Sequence, residues 1–255
     1  MNMDMVESVG KIVGVWRYPV QSMQGEALET AELTETGIPG DRLWGVLNPA
    51  ENKIAAAARG KKPWRDLIQW QARLKREPSA AEPLPPVSIR LPDGGGIDSE
   101  ASDRDARISA AIGEATRLIA RNADNQVYGY APLHLLTSAT LKAFARHYPS
   151  GQFAPQRFRP NLLIDCGETE GFIEQDWIGA TLLLGESRLE VHEHCDRCIL
   201  TTLPQGDLPL DPGILKTSSE ANGRRAGVYA KVTQPGRIRI GDELRLLRPV
   251  SRSAA

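Results

Sequence analysis

Cysteine is scarce in this chain. Its 255 residues hold three, Cys166, Cys195 and Cys198, and so few, in odd number, cannot staple a disulfide scaffold. A reducing cytoplasm is the compartment this predicts. Three thiols are also too few for a fused iron–sulfur centre if one or two are already employed. An excess of one charge is missing too: 31 Lys and Arg against 32 Asp and Glu leave a net charge of −1. Nothing then draws the chain to nucleic acid or anionic lipid, and neither nucleic acid nor a membrane is expected as a partner. No apolar run approaches membrane-spanning length. The opening residues from Met1 to Glu7 carry acids and no apolar core, so no secretory leader is expected.

What is present is ordinary for a globular protein, with 41% hydrophobic and 25% charged residues. The length allows one large domain or two modest ones. Lys11 to Trp16 reads as a strand running into a loop at Pro19 and Gly25. A short element from Leu28 to Leu33 and a turn at Gly37 to Arg42 precede a strand over Leu43 to Leu47. Glu77 to Pro86 is proline-rich and reads as weakly ordered. Val87 to Leu91 is a strand closed by the turn at Pro92 to Gly96. Ser102 is placed to cap a helix whose apolar residues are Ile108, Ala111, Ile112 and Ala115.

The second half opens with the apolar run Leu133 to Leu136. Thr137 and Ser138 then precede Leu141, Phe144 and Ala145 at helical spacing. Beyond them the reading is nearly all β: Asn161 to Ile164, Thr181 to Leu184, Arg188 to His192, Val228 to Val232, Arg237 to Ile240 and Glu243 to Leu246. Gly241-Asp242 between the last two predicts a hairpin. Many short strands with glycine-rich turns predict a β-rich, mixed α/β fold: a barrel with peripheral helices.

The chemistry concentrates in His194-Cys195-Asp196-Arg197-Cys198. A thiolate beside a guanidinium is a ready nucleophile or soft metal ligand. His192, His194 and the two cysteines form a possible zinc set, but all four fall within seven residues, whereas structural zinc joins two distant pairs. A Cys-x-x-Cys redox pair lacks the βαβ surroundings of thioredoxin, and buried, inert cysteines are the plain alternative. Elsewhere, Arg157-Phe158-Arg159-Pro160-Asn161 offers two guanidiniums on one side of a strand start, suited to an anion. Thr137-Ser138 is an N-cap that would also present free N–H groups to a phosphate. Gly40-Asp41-Arg42 is a turn with a local ion pair.

Taken in order, these segments resemble the MOSC proteins, named for the C-terminal domain of molybdenum-cofactor sulfurase. The likeness is to the two-part form with an N-terminal β-barrel region, as in the mitochondrial amidoxime-reducing component and its bacterial relatives. It rests on Tyr18-Pro19-Val20-Gln21-Ser22, Gly40-Asp41-Arg42-Leu43-Trp44, Arg157-Phe158-Arg159-Pro160-Asn161, Cys195-Asp196-Arg197-Cys198 and the stretch from Val228-Tyr229 to Gly241-Asp242. It runs from about residue 11 to 248. It implies an N-terminal β-barrel-like region over 8–120 and a MOSC domain over 125–250.

The resemblance also implies a cofactor, the molybdenum cofactor, with Cys198 as both metal ligand and catalytic residue. Ser22, Arg42, Thr137, Ser138, Arg159, Asp196, Arg197 and Tyr229 would surround it. Pyridoxal phosphate, attached to the family at large, is not expected. The implied activity is oxygen-atom transfer from a small N-hydroxylated, N-oxide or S-oxide substrate, with electrons from a separate donor protein. A carrier of the cofactor, or of persulfide sulfur on Cys195 or Cys198, is the alternative. One departure stands out: the amidoxime-reducing proteins have lysine where this chain has Gln21. The lost charge would weaken an anion site by about 1–3 kcal/mol if the contact is desolvated. Asp196 beside an anionic cofactor is unhelpful unless it faces away or meets the substrate.

Overall fold

Alternation builds the first strand. Ile12 faces inward while Lys11 and Val13 face out, the pattern of a half-buried β-strand. A computed structural model describes residues 5–58, 62–121 and 132–248. In chain order its strands are β1 (Met5–Arg17), β2 (Glu26–Leu28), β3 (Thr30–Leu33), β4 (Trp44–Asn48), β5 (Lys53–Ile54), β6 (Gln71–Leu74), β7 (Val87–Arg90), β8 (Gly96–Asp98) and β9 (Arg117–Ala120). They continue with β10 (Leu133–Thr137), β11 (Leu162–Asp165), β12 (Thr181–Leu184), β13 (Ser187–Asp196), β14 (Arg225–Gln234), β15 (Gly236–Arg239) and β16 (Glu243–Arg248). The helices are α1 (Lys62–Arg65), α2 (Arg104–Ile112), α3 (Ser138–His147), α4 (Pro155–Phe158) and α5 (Pro212–Asn222).

Seven strands close into a barrel in the order β1, β11, β10, β14, β13, β12, β16 and back to β1, with β2 paired on β1. Closure leaves no edge among the seven to recruit another chain. Ile12, Leu135, Leu162, Leu182, Leu189, Val228 and Leu244 fill the interior. β1 thus belongs to the barrel of the C-terminal half, and Ala31, Leu33 and Ile38 pack on the same core. A second body holds the sheets β5-β4-β9 and β6-β7-β8, around Trp44, Trp64, Trp70, Ile89, Ile108 and Leu118. The β-rich barrel with peripheral helices is therefore the architecture observed.

Several local readings change. Gly241-Asp242 does not turn a hairpin: β15 pairs with β3, while β16 pairs with β1 and β12. Asp242 instead holds Arg239 through its backbone N–H and side chain, and the chain crosses from one sheet to the other there. Ser102 does not cap α2, whose N-cap is Asp103 with no side-chain bond. That helix ends at Ile112 because Gly113 turns left-handed at φ 80°, which leaves Ala115 outside. The proline-rich segment is pinned rather than loose. Arg17 grips Glu77 with two bonds of 2.6 and 2.9 Å, and the Trp44 indole donates to Pro85 O at 2.9 Å.

Helix α5 lies where only strands were expected. Its signals were in the sequence: Asp211 accepts from Gly213 N, Pro212 occupies the first turn, and Gly223 ends the helix at φ 56°. Ile214 on α5 packs with Phe144, Phe153 and Phe158 on the outside of the barrel, and that cluster holds the chain leading to Arg159.

Candidate functional site

The site begins where β1 ends. Tyr18 is buried, its N–H donates to Asp41 Oδ1 at 2.7 Å, and its carbonyl accepts from Arg42 N at 2.7 Å. Its phenol donates to Pro160 O at 3.0 Å. The Arg159 guanidinium lies 4.3 Å from the Tyr18 ring centre, and that of Arg42 at 5.7 Å. One aromatic face therefore gathers two cations from segments far apart in sequence. Burial pushes the Tyr18 phenol above its ordinary value, against the opposing pull of Arg159 and Arg42, so the ring stays neutral.

These groups border a cleft of about 1020 Å³ between the barrel and the second body. Of the residues implied as cofactor contacts, it brings together Ser22, Arg42, Arg159, Asp196, Arg197, Cys198 and Tyr229. Ser22, Arg42 and Arg159 have φ of 68°, 54° and 55°. Backbone held in the left-handed region by residues other than glycine collects where function demands it. The Ser22 hydroxyl is occupied: it accepts from Ala57 N at 3.1 Å and donates to Ala55 O. Its work is to hold that loop.

Thr137 and Ser138 are elsewhere. Thr137 is fully buried, caps α3 through Thr140 N and donates to Glu174 at 2.7 Å. Ser138 donates to Asp165 at 2.9 Å. Neither borders the cleft, so no phosphate is placed there. Arg157 is a second correction. It sits on α4, not at a strand start, and is fully buried, with its guanidinium donating to the carbonyls of Gln152, Thr201, Leu203 and Pro209. Only Arg159 of that pair faces the cleft.

The two cysteines differ sharply. Cys195 is buried, and Arg197 Nη1 donates to its sulfur at 2.7 Å while Nη2 donates to Phe158 O at 2.6 Å. Burial alone would raise this thiol's pKa. Arg197, with smaller contributions from His134 and Tyr229, outweighs it and brings the value down to about 6. The Tyr229 phenol is pushed up by burial and by that neighbouring sulfur. Cys198 is exposed at the cleft and starts the tight turn Ile199–Thr202. Its carbonyl accepts from Thr201 N and Oγ1, and its thiol bonds to nothing among the described residues.

Sequence reasoning missed Arg121 and His134, which border the same cleft. Arg121 donates to Arg42 O at 3.0 Å, and no local pattern marks it. His134 was detectable as one polar residue inside a buried apolar strand. Its ring nitrogens face the carbonyls of Arg159 and Ala226 at 3.3 and 3.1 Å. Burial lowers the pKa of Arg159 to about 10, against the pull of Tyr18, and lowers that of Arg121 too, reinforced by Arg42. Both remain cations at neutral pH. Asp41 pairs with Arg42 at 2.7 Å; Asp196 borders the cleft as the one exposed acid beside Cys198.

A family model described as the MOSC domain matches residues 122–245, and one described as the MOSC N-terminal beta barrel domain matches residues 9–72. The chain is a MOSC-domain protein. This MOSC protein is similar to mitochondrial amidoxime reducing component 2 of Rattus norvegicus, at 22% identity over 93% of its own length and 83% of the relative's. It is similar also to mitochondrial amidoxime-reducing component 1 of Mus musculus, at 24% identity over 95% and 84%. The crystal structure of the YuaD protein from Bacillus subtilis shares its fold, with a TM-score of 0.51 at 12% identity, covering 96% of this MOSC protein and 98% of that chain.

The donor set suits an anionic, sulfur-ligated group. Gln21 Nε2 and Oε1, Arg121 Nε and Arg197 Nε are buried without hydrogen-bond partners among the described residues. Buried polar atoms left open in this way await a partner. Three of them, Gln21 Nε2, Arg121 Nε and Arg197 Nε, are donors on side chains lining one cleft, and with a free thiol they fit the molybdenum cofactor.

Proposed function

We propose that this MOSC protein is a molybdenum-cofactor-dependent oxidoreductase. Its substrates would be small N-hydroxylated, N-oxide or related oxygenated molecules, with electrons from a separate donor protein, in the cytoplasm. The observation that carries the reading is the free Cys198 thiol on a cleft lined by Arg42, Arg121, Arg159 and Arg197. When bound, the cofactor would supply two-electron oxygen-atom transfer; a soft metal takes a thiolate ligand readily and holds it deprotonated.

The chain's own residues would bind and orient. Cys198 would ligate the metal from the start of a short, rigid turn. Arg42 and Arg159, fixed against Tyr18, would face the cofactor's phosphate, and Arg121 adds a cation beside them. Arg197 uses one N–H of Nη1 on Cys195 and one of Nη2 on Phe158 O, and its Nε, which has no partner among the described residues, would be offered to the cofactor. Tyr229 would close the pocket over the pterin, and Asp196, an acid unsuited to the anion, would meet a substrate. The cleft lining also includes the uncharged residues Ile38, Pro39, Pro78, Ala80, Pro83 and Pro132, which would suit the apolar part of a neutral substrate. Because Cys195 is buried under Arg197, it has no access for a sulfur-accepting role, and the carrier alternative rests on Cys198 alone.

Elemental analysis and turnover test this reading together. Protein from a cofactor-competent host should hold about one molybdenum per chain and reduce an N-hydroxylated amidine with an artificial electron donor. The Cys198→Ser variant should lose both. A cyanide-labile sulfur on Cys198 without molybdenum would favour the carrier instead.

A further inference from the structure

Gln21 stands where the family resemblance implies a lysine, and its surroundings are unusual. The side chain borders the cleft and is about nine-tenths buried, at 7% exposure. Neither its amide nitrogen nor its amide oxygen has a hydrogen-bond partner among the described residues. The backbone beneath it is fixed: Gln21 N donates to Trp44 O at 2.9 Å, and Ser22 next to it pins Ala57 N. The amide is thus held at the cleft wall by a fixed loop, buried, with its donor and its acceptor both unpaired among the described residues.

Such an amide discriminates between ligand groups by its chemistry. A phosphate offers only acceptors, so it would use Nε2 and leave Oε1 facing negative charge. A lysine, with donors alone, suits a phosphate. A primary amide is satisfied at both ends by a group carrying a donor and an acceptor side by side, as in a lactam edge –NH–C(=O)–. The pyrimidinone ring of a pterin carries that edge. We infer that Gln21 binds the lactam edge of the cofactor's pterin ring, and is a specificity residue for the ring rather than for the phosphate. The inference rests on the cofactor reading above. It leaves the phosphate to the arginines, which have no acceptor to oppose it.

The test uses the holoprotein from a cofactor-competent host. Wild type and the variants Gln21→Leu, Gln21→Glu and Gln21→Lys are each followed for release of pterin over time, by fluorescence of the oxidised product after gel filtration. All three variants should shorten the retention half-time at least tenfold, since none can both donate and accept as the amide does. Glu is nearly isosteric, so its effect stands even if Leu disturbs the loop. A longer half-time for Gln21→Lys would show that this position faces the phosphate and would overturn the inference. So would unchanged retention in Gln21→Leu. A wild-type protein carrying no pterin at all would instead overturn the cofactor reading, and the inference with it.

Discussion

The Arg197 guanidinium turns back to the Cys195 sulfur, at 2.7 Å, rather than forward to its sequence neighbour Cys198. Two cysteines three residues apart therefore have opposite fates. Cys195 is a buried, anion-leaning sulfur held by a cation. Cys198 is an exposed thiol with its coordination sphere free.

The first of these fates has a pH signature. The Cys195 thiol titrates near 6 in the folded protein, below the value of about 8.5 for a free thiol. The folded state therefore prefers the thiolate more strongly than the unfolded chain does. The stabilisation is complete above the unfolded value and disappears as pH falls through the folded one. Between those two values the unfolded chain binds the extra proton, so stability should rise with pH by up to about 1.4 kcal/mol per unit. Urea unfolding of wild type and Cys195→Ala across that window should show the difference between them growing with pH. A pH-independent difference would mean that Cys195 is a neutral thiol.

The second fate predicts selective chemistry. In protein freed of cofactor, iodoacetamide should modify Cys198 first. Cys195 is fully buried and Cys166 nearly so, and burial raises the Cys166 thiol to about 11, so both should react slowly. Peptide mass spectrometry after brief labelling reads the order. Loading the cofactor should protect Cys198. Equal labelling with and without cofactor would argue against ligation by this sulfur.

Arg157 and Arg42 should separate stability from binding. Arg157 is fully buried and donates to four carbonyls. Replacing it by methionine leaves those acceptors unpaired, a loss of about 3 kcal/mol or more. Arg42 is 30% exposed and paired with Asp41, and a partly exposed pair contributes about 1 kcal/mol or less. Thermal unfolding should therefore show a large drop for Arg157→Met and a small one for Arg42→Ala. Pterin content per folded chain should fall most in Arg42→Ala.

These contrasts mark what the sequence could and could not convey. Strand positions were legible because alternation and turn residues are local signals: β4, β7 and β12 fall within a residue or two of their expected spans. Pairing was not. Gly241-Asp242 looks like a hairpin turn in isolation, yet β16 pairs with β1 and β12 while β15 pairs with β3. Membership of the cleft was legible for Ser22, Arg42, Arg159, Arg197, Cys198 and Tyr229 through the family's motifs. Side-chain direction was not. Arg157 and Arg159 read as twins until the left-handed turn at Arg159 sends one guanidinium into a nest of carbonyls and the other across Tyr18. Arg121 gave no local signal, because the chain segments that frame it are remote in sequence.

The close approach of β14 to His134 depends on one glycine within the strand. Gly227 has φ 84°, and a Cβ there would lie 2.3 Å from Leu135 O and 2.4 Å from His134 Nε2. An alanine meets both the left-handed strain and two hard contacts, one of them with fixed barrel backbone. Gly227→Ala should therefore destabilise the protein by about 2 kcal/mol or more. Because His134 must move, its grip on Ala226 O and the packing of its ring on Tyr229, at 5.5 Å, should loosen. Both residues help hold the Cys195 thiol low, so the pH-dependent part of stability should shrink in this variant along with its midpoint. Gly94, at φ 88° with nothing near its Cβ position, is the control. Gly94→Ala should cost only the backbone strain and leave the pH dependence intact.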